Sequence, residues 1–426
     1  MIVRRLILWT TLVVLALVVV AACVLFARQG GFAPFRVPTG TGPPVANDAT
    51  TLARGEYLVR LGDCAACHTT RGGVAFAGGH AFDTDYGTLY SSNLTPDREK
   101  GLGDWSADEF RHAMRYGVSR RGPLYPVFPY EHFARLTDAD IDAIYAYLRA
   151  LVPSANTPPA NRLAFPANSR SALIVWRMLS YRPAAPMSAT DRGQYLVEGI
   201  GHCAMCHSTR AAGDSVPSKG YLAGGILVGS GWYAPPLDAD SLRRYSSSEL
   251  ADFLRTGTSP HGTVYGPMAE VVYSSLRALT AADAASMADY LKRIPPHAPP
   301  DMRLSARERF GGNSGDFGNN GAEIFKRACA ECHGDNGEGK GGHYPALTNA
   351  VATRAPTPIN AVRIVLYGAM PPTTPGNPRP YSMPPFAQQL SSAEIAAVVN
   401  YIRRNEPQAS RVAASDVEAM AGIVLD

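Results

Sequence analysis

The chain has 426 residues, with Lys+Arg 40 against Asp+Glu 36 and a formal net charge of +4. That length is too great for one small core and points to roughly three domains. The mixed signs exclude the strong single-sign field that nucleic-acid binding uses. Glycine (40) and proline (34) are abundant, which fits small helical domains joined by long loops.

In chain order, the first element is an uncharged apolar run from Leu6 to Phe26, about the length a bilayer-spanning helix requires. Arg4 and Arg5 precede it and would hold the N-terminus in the cytoplasm with the rest outside. Residues 1–30 are therefore read as an N-terminal membrane anchor or signal, with an uncleaved anchor preferred. A cleaved signal peptide lacks a clear small-x-small site before polar sequence. Val20-Ala21-Ala22-Cys23 resembles a lipoprotein cleavage site with Cys23 acylated, but Val24, Leu25 and Phe26 carry the apolar run past it.

Six of the seven cysteines fall in one pattern, repeated three times: Cys64-Ala65-Ala66-Cys67-His68, Cys203-Ala204-Met205-Cys206-His207 and Cys329-Ala330-Glu331-Cys332-His333. Two thiols three residues apart, followed at once by His, are what covalent haem attachment needs. The thiols add across the two vinyl groups and the imidazole binds the iron. Three such sites would make a path for electrons. In bacteria the attachment takes place outside the cytoplasm, in agreement with the N-terminal reading. A zinc ribbon needs a second pair at matching distance, and each pair here stands alone. A redox dithiol has no need of the His. Disulfides across adjacent turns would stabilise little.

The repeat extends beyond the motif. Arg54-Gly55-Glu56-Tyr57-Leu58-Val59 precedes the first site, Arg192-Gly193-Gln194-Tyr195-Leu196-Val197 the second, and Gly321-Ala322-Glu323-Ile324-Phe325 the third; each predicts a short helix leading to the cysteines. Amphipathic helices close the repeats, opened by capping boxes at Thr137/Asp140, Thr280/Asp283 and Ser391/Glu394. Ile141, Ile144, Tyr145 and Leu148 show the helical spacing. Tyr147, Tyr290 and Tyr401 occupy matching places and are read as core packing. Middle helices run from Ser106/Glu109 to Gly117, from Ser246/Glu249 to Gly257, and less regularly from about Pro358 to Gly368. The fold expected is all-α, with each core built around a porphyrin.

The second axial ligand should come from the loop between middle and last helix. Met268 stands there in the second repeat and Met383 in the third; a thioether is a soft ligand that raises the potential. Met370 ranks behind Met383 because it follows a helix end immediately. The first repeat has Phe128 at this place, which cannot bind iron. Its iron is either five-coordinate or ligated by another residue, with His132 the closest candidate and His80, His112 and Met114 behind it. Met114 is placed for core packing. An imidazole in place of a thioether would lower the potential of the first haem.

With these residues in view, the chain resembles the tri-haem cytochrome c subunits of bacterial membrane-bound, quinone-reducing alcohol, aldehyde and gluconate dehydrogenases. Gly78-Gly79, Leu124-Tyr125-Pro126, Tyr195-Leu196-Val197-Glu198-Gly199, Gly231-Trp232-Tyr233-Ala234-Pro235-Pro236 and Gly266-Pro267-Met268-Ala269-Glu270-Val271-Val272 carry the likeness, from about residue 52 to the C-terminus. It implies three tandem class I cytochrome c domains behind an N-terminal transmembrane helix. Their bounds are 50–152, 188–297 and 319–406, with linkers 153–187 and 298–318 and a tail 407–426. Three covalently bound haem c groups are implied, attached at Cys64, Cys67, Cys203, Cys206, Cys329 and Cys332. The implied iron ligands are His68, His207, His333, Met268 and Met383. So are a large dehydrogenase subunit holding pyrroloquinoline quinone, flavin or molybdenum, a small third subunit as an optional member, ubiquinone as acceptor, and the cytoplasmic membrane with haem domains facing the periplasm. Phe128 departs from the family pattern. The alternatives are a freestanding multihaem carrier and a haem enzyme that uses an open first haem to reduce a small oxidant.

Overall fold

The computed structural model describes residues 2–28, 37–38, 44–181, 184–209, 220–227, 231–296, 320–340, 344–348, 350–406 and 410–421. The expected linker 298–318 lies outside them, as do the two ends of the expected tail. The chain forms two compact units: one holds the described residues up to Leu58 with Cys67–Ala189, the other Val59–Ala66, Thr190–Thr209 and the described residues beyond.

Up to Ser180 the elements are helices α1 (Ile2–Arg28), α2 (Ala49–Leu61), α3 (Cys64–His68), α4 (Ala107–Tyr116), α5 (Tyr130–Phe133), α6 (Asp138–Arg149) and α7 (Arg170–Ser180), with strands β1 (Ala81–Thr84), β2 (Gly87–Tyr90), β3 (Val118–Ser119), β4 (Gly122–Pro123) and β5 (Arg162–Leu163). The second repeat contains α8 (Arg192–Gln194), continued as a π-turn over Tyr195–Ile200, and a 3-10 turn at Cys203–Met205. β6 (Gly225–Ile226), β7 (Tyr233–Ala234), α9 (Ser247–Thr256), β8 (Thr258–Ser259), β9 (Gly262–Thr263), α10 (Pro267–Ser274) and α11 (Ala281–Arg293) follow. The third repeat is α12 (Gly321–Ala328), α13 (Ala330–His333), α14 (Val351–Arg354), α15 (Ile359–Tyr367), α16 (Ser392–Ile402) and α17 (Ala414–Ala421).

Two parts of the expected fold class are corrected. The molecule is helical but not all-α. Among the described residues, three two-stranded ladders and the sheet β1-β2-β5 fold the loops back on themselves. The reason is local: Gly122 (φ 97) and Gly262 (φ 143) adopt a conformation that side chains disfavour, and they close two-residue hairpins after α4 and α9. Ser119 Oγ and Ser259 Oγ donate across these turns to the carbonyls of Gly122 and Gly262, each at 3.2 Å. The ladders satisfy loop backbone groups that packing withdraws from water. The expected N-terminal transmembrane helix is also withdrawn. A span requires one helix both long and apolar, and no helix among the described residues meets both conditions. The side chains of Arg4 and Arg5, on which its orientation rested, lie outside the described residues.

The repeat itself is built on one helix crossing used three times. A Cβ on Gly55 would fall 2.0 Å from the Ala143 carbonyl oxygen, on Gly193 2.0 Å from that of Ser286, and on Gly321 2.2 Å from that of Ala397. Only glycine lets the backbones of first and last helix approach so closely. Tyr147, Tyr290 and Tyr401 sit at these crossings, their Cβ atoms 2.8, 2.7 and 2.8 Å from the same imagined carbons. Arg54 clamps Asp140 through two hydrogen bonds of 2.9 Å, and Arg192 clamps Asp283 at 2.8 and 2.7 Å. In the third repeat Ile324, Phe325, Val362, Leu366, Ile395 and Val399 form the core, and Val417 and Met420 of α17 complete it.

Candidate haem sites

Each attachment motif begins where the preceding helix is broken. Asp63 (φ 50) and His202 (φ 37) are left-handed residues immediately before Cys64 and Cys203, so the chain turns and starts a new short helix carrying the motif. In the third repeat Cys329 (φ −121) separates α12 from α13. Cys64, Cys203, Cys329 and Cys332 are half-buried, while Cys67 and Cys206 are exposed; none forms a disulfide. Burial, reinforced by Cys206, pushes the Cys203 thiol up to about 12, and burial beside Cys332 pushes Cys329 up to about 11. A reactive redox dithiol needs the opposite shift. Among the described residues no group of three or more His, Cys, Asp and Glu is placed to hold a bare metal ion.

The three histidines share one geometry. Nδ1 of His68 lies 2.7 Å from the Ser92 carbonyl oxygen, that of His207 2.7 Å from Pro235, and that of His333 2.9 Å from Pro345. A carbonyl can only accept, so Nδ1 carries the proton and Nε2 keeps its lone pair for a metal. A second bond anchors each backbone: the amides of Gly78, Gly224 and Gly339 donate to the carbonyls of His68, His207 and His333 at 2.8, 2.9 and 2.7 Å. Burial holds all three imidazoles below the usual histidine range, against the opposing pull of the carbonyl. A neutral, oriented ring is what an axial ligand must be, so the residues fit haem c. The sequence reading missed these carbonyls because main-chain acceptors leave no mark on residue type; the glycines that bring the loops close were its nearest signal.

On the opposite side the placements differ. Met268 enters α10 behind Gly266 (φ 53), where a Cβ would meet the Trp232 ring at 2.9 Å. Met383 pairs with Ala369 through backbone bonds of 2.8 and 3.1 Å and packs on the third core. Met370 is 70 % exposed. In the first repeat Phe128 packs on Tyr130 and Phe133, with the latter ring centre at 5.5 Å. His132 is 4 % exposed on α5. Met114 is buried on α4, and His112 on the same helix lies against Tyr116 at 4.8 Å. His80 belongs to the loop around the imidazole of His68, whose proton affinity its field lowers. That places His80 beside the proximal ligand.

A cytochrome c family model matches residues 52–151 and 319–406. Over 85 % of its length the chain is 41 % identical to a nicotinate dehydrogenase subunit of Pseudomonas putida, of which it spans only 31 %. It is 36 % identical to the cytochrome c subunit of alcohol dehydrogenase (quinone) of Gluconobacter oxydans, covering 88 % of this chain and 82 % of that protein. It is equally similar, at 36 %, to the gluconate 2-dehydrogenase cytochrome c subunit of Pantoea cypripedii, covering 88 % of this chain and 90 % of that one. Oriented imidazoles beside paired cysteines, together with cytochrome relatives aligned over most of their length, lead to one conclusion: the chain belongs to the family of cytochrome c subunits of dehydrogenases, with covalently bound haem c and a role in electron transfer.

Proposed function

We propose that the chain is a three-haem relay that takes electrons from a partner dehydrogenase subunit and delivers them to ubiquinone or the respiratory chain, with its haem domains in the periplasm. The observation that carries this reading is the threefold His Nδ1–carbonyl bond beside three cysteine pairs. Haem supplies the one-electron couple. The chain's own residues hold and orient it. Cys64, Cys67, Cys203, Cys206, Cys329 and Cys332 attach it, and His68, His207 and His333 present Nε2. Met268 and Met383 complete the second and third sites, with Met383 favoured over Met370 by packing. His132, buried on the helix after Phe128, is proposed for the first site. The three domains are proposed at 50–152, 188–297 and 319–406, with 153–187 and 298–318 as linkers.

The partner is proposed to be a large subunit of the pyrroloquinoline quinone, flavin or molybdenum type; the relatives' names support a dehydrogenase in general terms. Purification from the native host tests this. A stoichiometric large subunit whose substrate reduces all the haems, reoxidised by a ubiquinone analogue, is expected. A cytochrome isolated alone, which no co-purified dehydrogenase reduces, would overturn the proposal. For the ligands, Met268→His and Met383→His should each remove one Met-to-iron charge-transfer signal and lower one potential. A signal from three such pairs in the natural chain would exclude His132.

A further inference from the structure

Among the described residues of the second compact unit, one fully buried guanidinium has none of its nitrogens hydrogen-bonded. Arg363, on α15 of the third repeat, is 0 % exposed, and its Nε, Nη1 and Nη2 have no hydrogen-bond partner. Its ring neighbours are Trp232, with the guanidinium carbon 4.9 Å from the ring centre, and Tyr367 at 6.0 Å. A cation–π contact stabilises a guanidinium by less than it costs to withdraw that group unpaired from water. The shortfall calls for an anion.

Position identifies that anion. Trp232 belongs to the second repeat and touches both sides of its site. Three residues on, Pro235 accepts the Nδ1–H of His207. The indole also packs on Gly266, two residues before Met268. One turn before Arg363, Asn360 is locked to the same loop. Its Nδ2 donates to the Tyr233 carbonyl at 2.7 Å and to the Tyr265 hydroxyl at 3.1 Å, and its Oδ1 accepts from the Tyr233 amide at 2.9 Å. Asn360 is 1 % exposed. Thr374 adds a bond from the third repeat to the Thr256 carbonyl at 3.0 Å. Arg363 is thus fixed against the loop that runs from Trp232 to the His207 acceptor Pro235, by contacts that have no charge of their own. Val362 and Leu366, its neighbours on α15, face the third core instead.

We propose that Arg363 is the docking site for a propionate carboxylate of the second domain's haem, supplied in trans by the third domain. This rests on the second site holding haem, as proposed above. The guanidinium offers a fork of donors that matches a carboxylate, and its fixed positive charge favours the reduced iron. The contact also ties maturation of the second site to docking of the third domain.

Spectroelectrochemistry of the haem-loaded chain tests it. A Met268→His variant first marks which wave belongs to the second haem. Arg363→Gln should then shift that wave downward and leave the other two in place, and Arg363→Lys should restore part of the shift. A shift confined to another haem, or none with full haem content, would overturn the proposal. If the variants fail to fold, an experimental structure of the matured natural chain decides: Arg363 within hydrogen-bond distance of a carboxylate of the second haem supports it, and a carboxylate held elsewhere overturns it. Absence of haem from the second site would instead refute the relay.

Discussion

At Gly55, Gly193 and Gly321 a single missing carbon permits the contact on which each repeat depends. Gly193→Val should therefore force α8 and α11 apart. The expected loss is about 1–3 kcal/mol, the usual penalty of overpacking, measured as a lower denaturation midpoint of the second unit with haem content reduced. Replacing both cysteines of one motif by Ala should lower the number of covalent haems by one, whichever motif is chosen, read by pyridine haemochrome absorbance. Asp63 gives a pH-dependent test. Burial raises its carboxyl to about 6, with a hydrogen bond from Ser274 opposing the shift and Glu270 adding to it. The folded chain thus holds this proton more tightly than the unfolded one, whose carboxyl titrates near the ordinary value of 3.8. Stability of the second unit should fall as pH rises from about 4 to about 6, by on the order of 2–3 kcal/mol. Asp63→Asn should remove that slope; an unchanged denaturation profile would contradict the burial argument.

Helix starts follow rules that the sequence displays, and here the reading succeeded. Ser106, Ser246 and Ser391 accept from the amides of Glu109, Glu249 and Glu394, and the three carboxylates return to the cap amides. Ser246→Ala should cost about 1 kcal/mol, as cap removal usually does, seen as a small drop in the second unit's midpoint. Thr137 and Thr280 also cap their helices. Each hydroxyl accepts from its Asp amide at 3.2 and 3.1 Å, and the carboxylates of Asp140 and Asp283 receive Arg54 and Arg192. The clamps themselves were not legible, because Arg54 and Arg192 stand 86 and 91 residues from their partners in sequence. Hairpins β3-β4 and β8-β9 were missed as well. Their turn residues, Arg120-Arg121 and Pro260-His261, lack the usual turn signature, and the glycine that closes each stands one place later. The N-terminal run misled in the other direction: apolar composition was legible, and a membrane span was inferred from it that the described helices do not support.

Across the whole molecule one helix crossing recurs three times. A domain near one hundred residues buries limited apolar surface, so the cofactor should contribute much of the cooperativity. Expression without haem maturation should give a chain without a cooperative unfolding transition, while the matured chain shows one. The paired-cysteine motifs and the repeat were legible because they are carried by fixed residue types at fixed spacing. The first site's distal side was not, because Phe128 removes the expected ligand and ligation by His132 depends on tertiary placement. The central claim is most directly tested by the mass of the denatured chain purified from its native host. The expected mass is that of the polypeptide plus three covalently bound haems that acid extraction does not remove; two or fewer, or haem released by extraction, would contradict the three-haem relay.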